Sequence, residues 1–200
     1  MDFKEQFERA WQVFTGHFAP ILINTLVLVV VSVASLFILA PVVSAGYMQS
    51  LLLALRNDRP PEVRDLFAHM DLFFPLFGFM ALFVILVCIG MVLILPGIAI
   101  LLAGTYFLIY LLPLMTDQRL GLVEAFKASC RMALEEPIIE HIAVVLVMII
   151  LNSIGSSIVL GTLVTHPYSC LFLLAVYEVK KQRQISGPKT EPPPLPKQGE

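Results

Sequence analysis

The stretch from Leu72 to Met115 leaves a chain like this the fewest choices. It holds two apolar runs, LFFPLFGFMALFVILVCIGMVLIL of 24 residues and IAILLAGTYFLIYLLPLM of 18, and neither contains Asp, Glu, Lys or Arg. Only Pro96 and Gly97 stand between them. A helix rises about 1.5 Å per residue, so roughly 20 residues cross a hydrocarbon layer ~30 Å thick. No water in that layer can satisfy open backbone, so both runs are expected as helices. Pro96 lacks an N–H and Gly97 tolerates a tight reversal, so the pair reads as the turn of a helical hairpin in lipid.

The rest of the chain repeats that plan. Pro20 opens the run ILINTLVLVVVSVASLFILA, which closes at Pro41, and VVSAGYMQSLLLAL follows before the polar stretch RNDRPPEVRD. Pro137 opens IIEHIAVVLVMIILNSIGSSIVLG, which passes through TLVTHP into YSCLFLLAVY and EVKKQR. Pro20 and Pro41 are 21 positions apart, as are Pro75 and Pro96; the third unit departs from this, its break spreading over Gly161 to Pro167. The pattern predicts an all-α integral membrane protein of about six membrane helices, arranged as three hairpins. The segments at 42–55 and 168–177 are short, and either full crossing or re-entry is open to them. Residues 1–180 form the membrane domain; residues 181–200, ending in ISGPKTEPPPLPKQGE, are expected to be a disordered, proline-rich cytoplasmic tail.

Charge placement sets the orientation. All 13 Lys and Arg fall in the N-terminal segment, Arg56 to Arg64, Arg119 to Arg131, or from Lys180 onward, while the breaks near Pro41, Pro96 and Gly161 carry none. The positive-inside rule then puts both termini and the charged loops in the cytoplasm. MDFKEQFERAW opens with mixed charge and no short apolar core, so no secretory signal is read there. Two amphipathic helices complete the architecture. Phe3, Phe7, Trp11, Phe14 and Phe18 share one stripe, suited to the membrane surface or to the bundle's own cytoplasmic side. Leu122, Phe126, Cys130 and Leu134 recur every fourth residue in a second surface helix.

Only 14% of the residues are charged, against about 25% in soluble domains, and the net charge of -2 gives no case for a nucleic-acid partner. Cys88, Cys130 and Cys170 lie far apart, so neither a disulfide framework nor a metal site is expected, and no P-loop, G-x-S-x-G, H-E-x-x-H or C-x-x-C motif is present. No catalytic residue, metal or cofactor is assigned. Ionisable groups near a bilayer are the default functional candidates, which singles out Glu140 and His141 just after Pro137, either as an interfacial pair or as a proton-handling one. Ser153, Ser157 and Gly161 recur every fourth residue, as do Ala99 and Ala103, a spacing that lets helices approach closely. Asn24, Thr25, Thr105, Tyr106 and Asn152 are the alternative, a candidate polar cavity. His17, His69 and His166 read as isolated.

Several blocks also resemble a known family. Pro96-Gly97-Ile98, Leu112-Pro113-Leu114 and GLVEAFKAS from Gly121 to Ser129 look like a bacterial membrane-domain superfamily. It includes the membrane domain of some glycerophosphodiester phosphodiesterases and the YciC-like inner-membrane proteins. Ala45-Gly46-Tyr47-Met48, Asp65-Leu66-Phe67 and Tyr177-Glu178 are similar too. The resemblance covers most of residues 1–180 and implies a bundle of about six inner-membrane helices. It carries no hydrolase activity here, because the soluble phosphodiesterase domain of the two-part members is missing. The expected role is therefore a non-enzymatic accessory, assembly or lipid-organising component. Its partners would be the bilayer and a membrane protein or a second copy of this chain. The rival readings are a small-solute or lipid transporter with a midplane site between hairpins, and a membrane enzyme built on cytoplasmic carboxylates and histidines.

Overall fold

The computed structural model describes residues 3–92, 94–134, 137–156 and 159–186. Among them are nine α-helices and two short 3-10 helices, and no strand. The helices are α1 (Phe3–Gly16), α2 (Phe18–Ala34), α3 (Ala40–Asn57), α4 (Phe73–Met91), α5 (Leu95–Leu108), α6 (Leu111–Asp117), α7 (Leu122–Leu134), α8 (Ile138–Ser156) and α9 (Val159–Ser186). Four continuous stretches are long and apolar enough to cross a membrane, and the pair α1–α2, bent by 88°, adds a fifth if taken together.

The predicted hairpins are present as packed pairs: α2 on α3, α4 on α5, α8 on α9. The prolines explain part of the regularity. Pro20 and Pro75 are each the third residue of an outgoing helix, and Pro41 and Pro96 each the second residue of a returning one. A first-turn N–H has no intrahelical partner, so proline costs nothing there. The reversals themselves lie earlier than expected. Leu36 and Phe37 (φ 51° and 64°) turn the first hairpin, and Ile94 (φ 56°) turns the second before Pro96 is reached. Gly97 is not a turn residue. It sits in the first turn of α5, where a Cβ would come within 2.7 Å of the Met91 backbone nitrogen, so its task is to let the two helices close.

The segment at 42–55 belongs to a full helix of 18 residues. The third break is not at Gly161 to Pro167; those residues are helical within α9, which carries Pro167 in its interior. The segment at 168–177 is consequently the middle of a 28-residue helix, and it is the innermost part of the described protein. From Ser169 to Tyr177 no residue is more than 3% exposed, because α1, α2, α3 and α8 all pack on α9. A helix apolar on every face ends at the centre of a bundle. Residues 181–186 continue that helix; the rest of the expected tail, residues 187–200, lies outside the described part.

At the other extreme, α4 buries only Leu76 and Gly90. Phe74, Leu82, Ile85 and Ile89 are each more than half exposed, as are Leu102 on α5 and Leu146 on α8. A water-soluble monomer does not expose an apolar surface of this extent, whereas hydrocarbon imposes no cost on it. The chain is a multi-pass helical membrane protein.

The two amphipathic helices use their faces differently. α1 turns Ala10 and Phe14 inward, stacks Phe7 on Phe172 at 4.4 Å, and brings Phe14 and Trp11 against Tyr168, so it packs on the bundle. On α7 the inward face is Ala125, Ser129, Met132 and Ala133, while Phe126 and Leu134 remain exposed. Small residues let α7 lie close to α5 and α6; of the bulky stripe read from the sequence, Phe126 and Leu134 face outward while Leu122 packs on the core.

Candidate functional site

Between α3 and α4 the chain does not simply loop out. The 3-10 helix Val63–Phe67 folds back along α3, so that Asp65 accepts a hydrogen bond from Ser50 Oγ (2.9 Å) and the Leu66 backbone lies against Gly46. Gly46 is eleven residues before the end of α3, which places Leu66 about 16 Å inside the helix end. Only a residue without a Cβ admits that approach. Glu62 and Asp65 cap this segment reciprocally, and Arg59 Nη2 donates to both Asp65 oxygens, at 2.9 and 3.1 Å. The Asp65 carboxylate, with Glu62 second, raises the Arg59 guanidinium above its ordinary value.

The ends of α3, α6 and α9 meet beside this fold-back. Arg56 donates to both oxygens of Asp117, with Nη2 to Oδ2 at 2.9 Å, and from Nε to Glu178 Oε1 at 3.0 Å. Lys181 Nζ donates to Asp117 Oδ2 at 2.6 Å and Tyr177 Oη donates to the same atom at 3.0 Å. Gln118 Nε2 in turn donates to Tyr177 Oη at 3.1 Å. Asp117 has 6% of its side chain exposed and Glu178 11%. Two cations face two anions, and the planar guanidinium matches a carboxylate with two parallel bonds, the strong form of such a pair. Arg56 also stands in the last turn of α3, where a cation is favoured. Asp117 alone would oppose the end of α6, and its two cations offset that.

Glu140 and His141 go to separate tasks, as the ~100° between successive helix positions requires. Glu140 accepts from Arg183 Nη1 at 2.8 Å, tying α8 to the end of α9. His141 is fully buried; its Nε2 donates to the Tyr106 carbonyl at 2.8 Å, which leaves Nδ1 to accept from Tyr110 Oη at 3.4 Å. Lys180, also buried, donates to the Met132 carbonyl and lies 5.6 Å from the Tyr110 ring. These residues make polar struts between α5, α7, α8 and α9.

The candidate cavity residues do not converge. Asn152 Nδ2 donates to Met148 O at 2.8 Å and to Ser169 Oγ at 3.4 Å. It borders, with Thr105, an apolar groove of about 400 Å³ between α5 and α8. Thr25 instead pairs with Tyr47 at 2.8 Å between α2 and α3, next to Asn24, which is buried with neither amide atom bonded. Tyr106 donates to Ala133 O. The small-residue spacing is also not realised along one helix. Ser153 is exposed, Ser157 lies outside the described residues, and Gly161 is on α9, where it faces Gly155 of α8 across the hairpin. Ala99 and Ala103 are exposed on α5. His166, expected in an outer break, is inside α9, stacked on Tyr47 at 6.0 Å and 3.8 Å from Cys170 Sγ.

What the sequence did not single out is a pair of polar hollows beside the Arg56–Asp117 cluster. One, of about 370 Å³, is lined by Gln49, Ser50, Arg59, Asp65, Thr116 and Asp117; the other, of about 300 Å³, by Asp71, Leu72 and Met115. Both also include Ala68, His69 and Arg119. Arg119 holds φ 51°, a left-handed conformation that non-glycine residues seldom adopt outside constrained sites. The density of Arg, Asp and His between residues 56 and 71 was the available signal. Among the described residues no group of three or more His, Cys, Asp or Glu is placed to hold a metal ion. No family model matches the chain, and neither does any curated protein or solved structure, so the site is read from its own geometry.

Proposed function

We propose that this chain is a non-enzymatic accessory, assembly or lipid-organising component of a bacterial inner membrane. In this reading α2–α3, α4–α5 and α8–α9 supply six membrane segments, and the end carrying Arg56, Asp117 and Lys181 faces the cytoplasm with both termini. The observation that carries it is α4. A membrane helix that buries only Leu76 and Gly90 presents almost its whole surface to its surroundings, which suits lipid or the apolar helix of a partner. The ionisable residues support it as well, since Arg56, Asp117, Glu178 and Lys181 satisfy one another. Membrane-family resemblance, stated above on sequence blocks alone, agrees with this role.

The test is purification from native membranes in a mild detergent or a polymer nanodisc, with mass spectrometry of what stays bound. A partner protein or retained phospholipid is expected; a preparation holding neither would refute the reading. The transporter alternative has one supporting feature, the groove bordered by Thr105 and Asn152, but that groove is otherwise apolar and is not joined by Asn24 or Thr25. Solute flux in proteoliposomes that disappears on Asn152→Leu would revive it.

A further inference from the structure

We propose that the crease between α4 and α6 binds one zwitterionic phospholipid, with the phosphodiester on Arg119 and His69, the ammonium toward Asp71, and an acyl chain in the apolar groove beneath. The proposal rests on the lipid-organising reading and gives it a site and a ligand class.

The first observation is which charges are left over. In the two adjoining polar hollows, Asp65 is already held by Ser50 and Arg59, and Asp117 by Arg56, Lys181 and Tyr177. The side chains of Arg119, His69 and Asp71 have no hydrogen bond or ion pair with a described residue. Arg119, His69 and Asp71 line one hollow together, and one cation, one imidazole and one anion match a ligand that carries a phosphate and an ammonium together. A simple anion would gain Arg119 but meet Asp71 in the same hollow.

The second observation is what lies along the same helices. Leu72 and Met115 border the polar hollow, and Leu76 and Leu111 border an apolar groove of about 330 Å³. Each step is four residues, one helical turn or about 6 Å. That groove continues to Phe83 and Leu101 and is lined almost wholly by apolar side chains. The fold-back of residues 63–72 along α3 sets the polar hollow inside the helix ends, the depth of lipid headgroups when the apolar helices span the bilayer. A polar recess continued one turn deeper by an apolar one fits a molecule whose two ends are covalently joined.

The experiment uses the full chain in nanodiscs made from equal parts of phosphatidylethanolamine and phosphatidylglycerol, extracted into mild detergent, with retained lipid counted by mass spectrometry. The unchanged protein should retain phosphatidylethanolamine preferentially. Arg119→Gln, which removes a charge-assisted contact at an exposed position, should lower retention about tenfold, and Arg119→Lys should recover part of it. Asp71→Asn should abolish the preference for phosphatidylethanolamine while phosphatidylglycerol is still retained. Met80→Trp, on the groove wall and half-exposed, should lower retention of both lipids. Arg131→Gln on α7 is the control and should change nothing. Preferential retention of phosphatidylglycerol by the unchanged protein, or displacement of lipid by millimolar inorganic phosphate alone, would overturn the ligand assignment. Retention equal in the unchanged protein, Arg119→Gln and Met80→Trp would overturn the site and leave the lipid-organising reading standing. No retained phospholipid of any kind in the unchanged protein would remove both.

Discussion

Asp117→Asn is the substitution that most sharply tests how the helix ends are held. Asp117 accepts two bonds from Arg56, one from Lys181 and one from Tyr177, with only 6% of its side chain exposed. Asparagine keeps the shape but turns one acceptor into a donor that faces a cation, and it removes the charge that balances Arg56 and Lys181. Breaking one side of a largely buried pair costs about 3–5 kcal/mol; Arg56 retains Glu178 and is itself a quarter exposed, which places the expected loss near the lower figure, about 3 kcal/mol. For a chain of this size about 1 kcal/mol moves the unfolding midpoint by roughly 2–4 °C, so the expected drop is about 6–12 °C. The assay is thermal unfolding in detergent by tryptophan fluorescence. It is run as a double-mutant cycle with Arg56→Gln, where the pair should couple by about 1–3 kcal/mol. Arg64→Gln is the internal standard: the Arg64–Glu62 pair is mostly exposed, so about 0–1 kcal/mol is expected. If Asp117→Asn melts within about 1 °C of the parent, the cluster is a surface ornament and does not hold α3, α6 and α9 together.

Further consequences concern the other struts. Gly46→Val should lower stability by about 1–3 kcal/mol or more, since the new side chain meets the Leu66 backbone, which has no rotamer to change; an unshifted melting temperature would contradict the fold-back. His141→Leu should cost about 1–3 kcal/mol by leaving the Tyr106 carbonyl buried without its donor, and His141→Gln should recover part of that if the contact is a hydrogen bond. Burial raises the Cys130 thiol above its ordinary value, so in a Cys88→Ala, Cys170→Ala background its labelling by a soluble maleimide should still be accelerating at pH 9; a plateau reached below that pH would contradict the half-buried placement. Because Arg56, Asp117 and Lys181 touch, reporters placed in the 58–62 loop, near residue 120 and after residue 186 should all give the same membrane sidedness, and any split result would refute the bundle.

The amino-acid sequence by itself determined that the chain is helical and membrane-embedded, and that its apolar runs fold back in pairs. Those conclusions need only local sums: an uncharged run such as Leu72 to Leu95 has one stable state in hydrocarbon, and a proline in a first helical turn marks where that state begins. Tertiary structure alone decided which helix is central, which face of each helix turns inward, and where the polar groups find partners. YSCLFLLAVY and the early part of α4 are both strongly apolar, yet one is the most buried segment and the other among the most exposed. Hydropathy does not distinguish the inside of a membrane bundle from its lipid-facing surface, because both are apolar. Nor does any local pattern join Arg56 to Asp117 and Glu178, 61 and 122 positions away, since that match depends on where three helices end and how each is rotated. The same holds for Arg119 and Asp71: charge density marked their loops, but only the fold-back held by Gly46 brings them to one recess above an apolar groove.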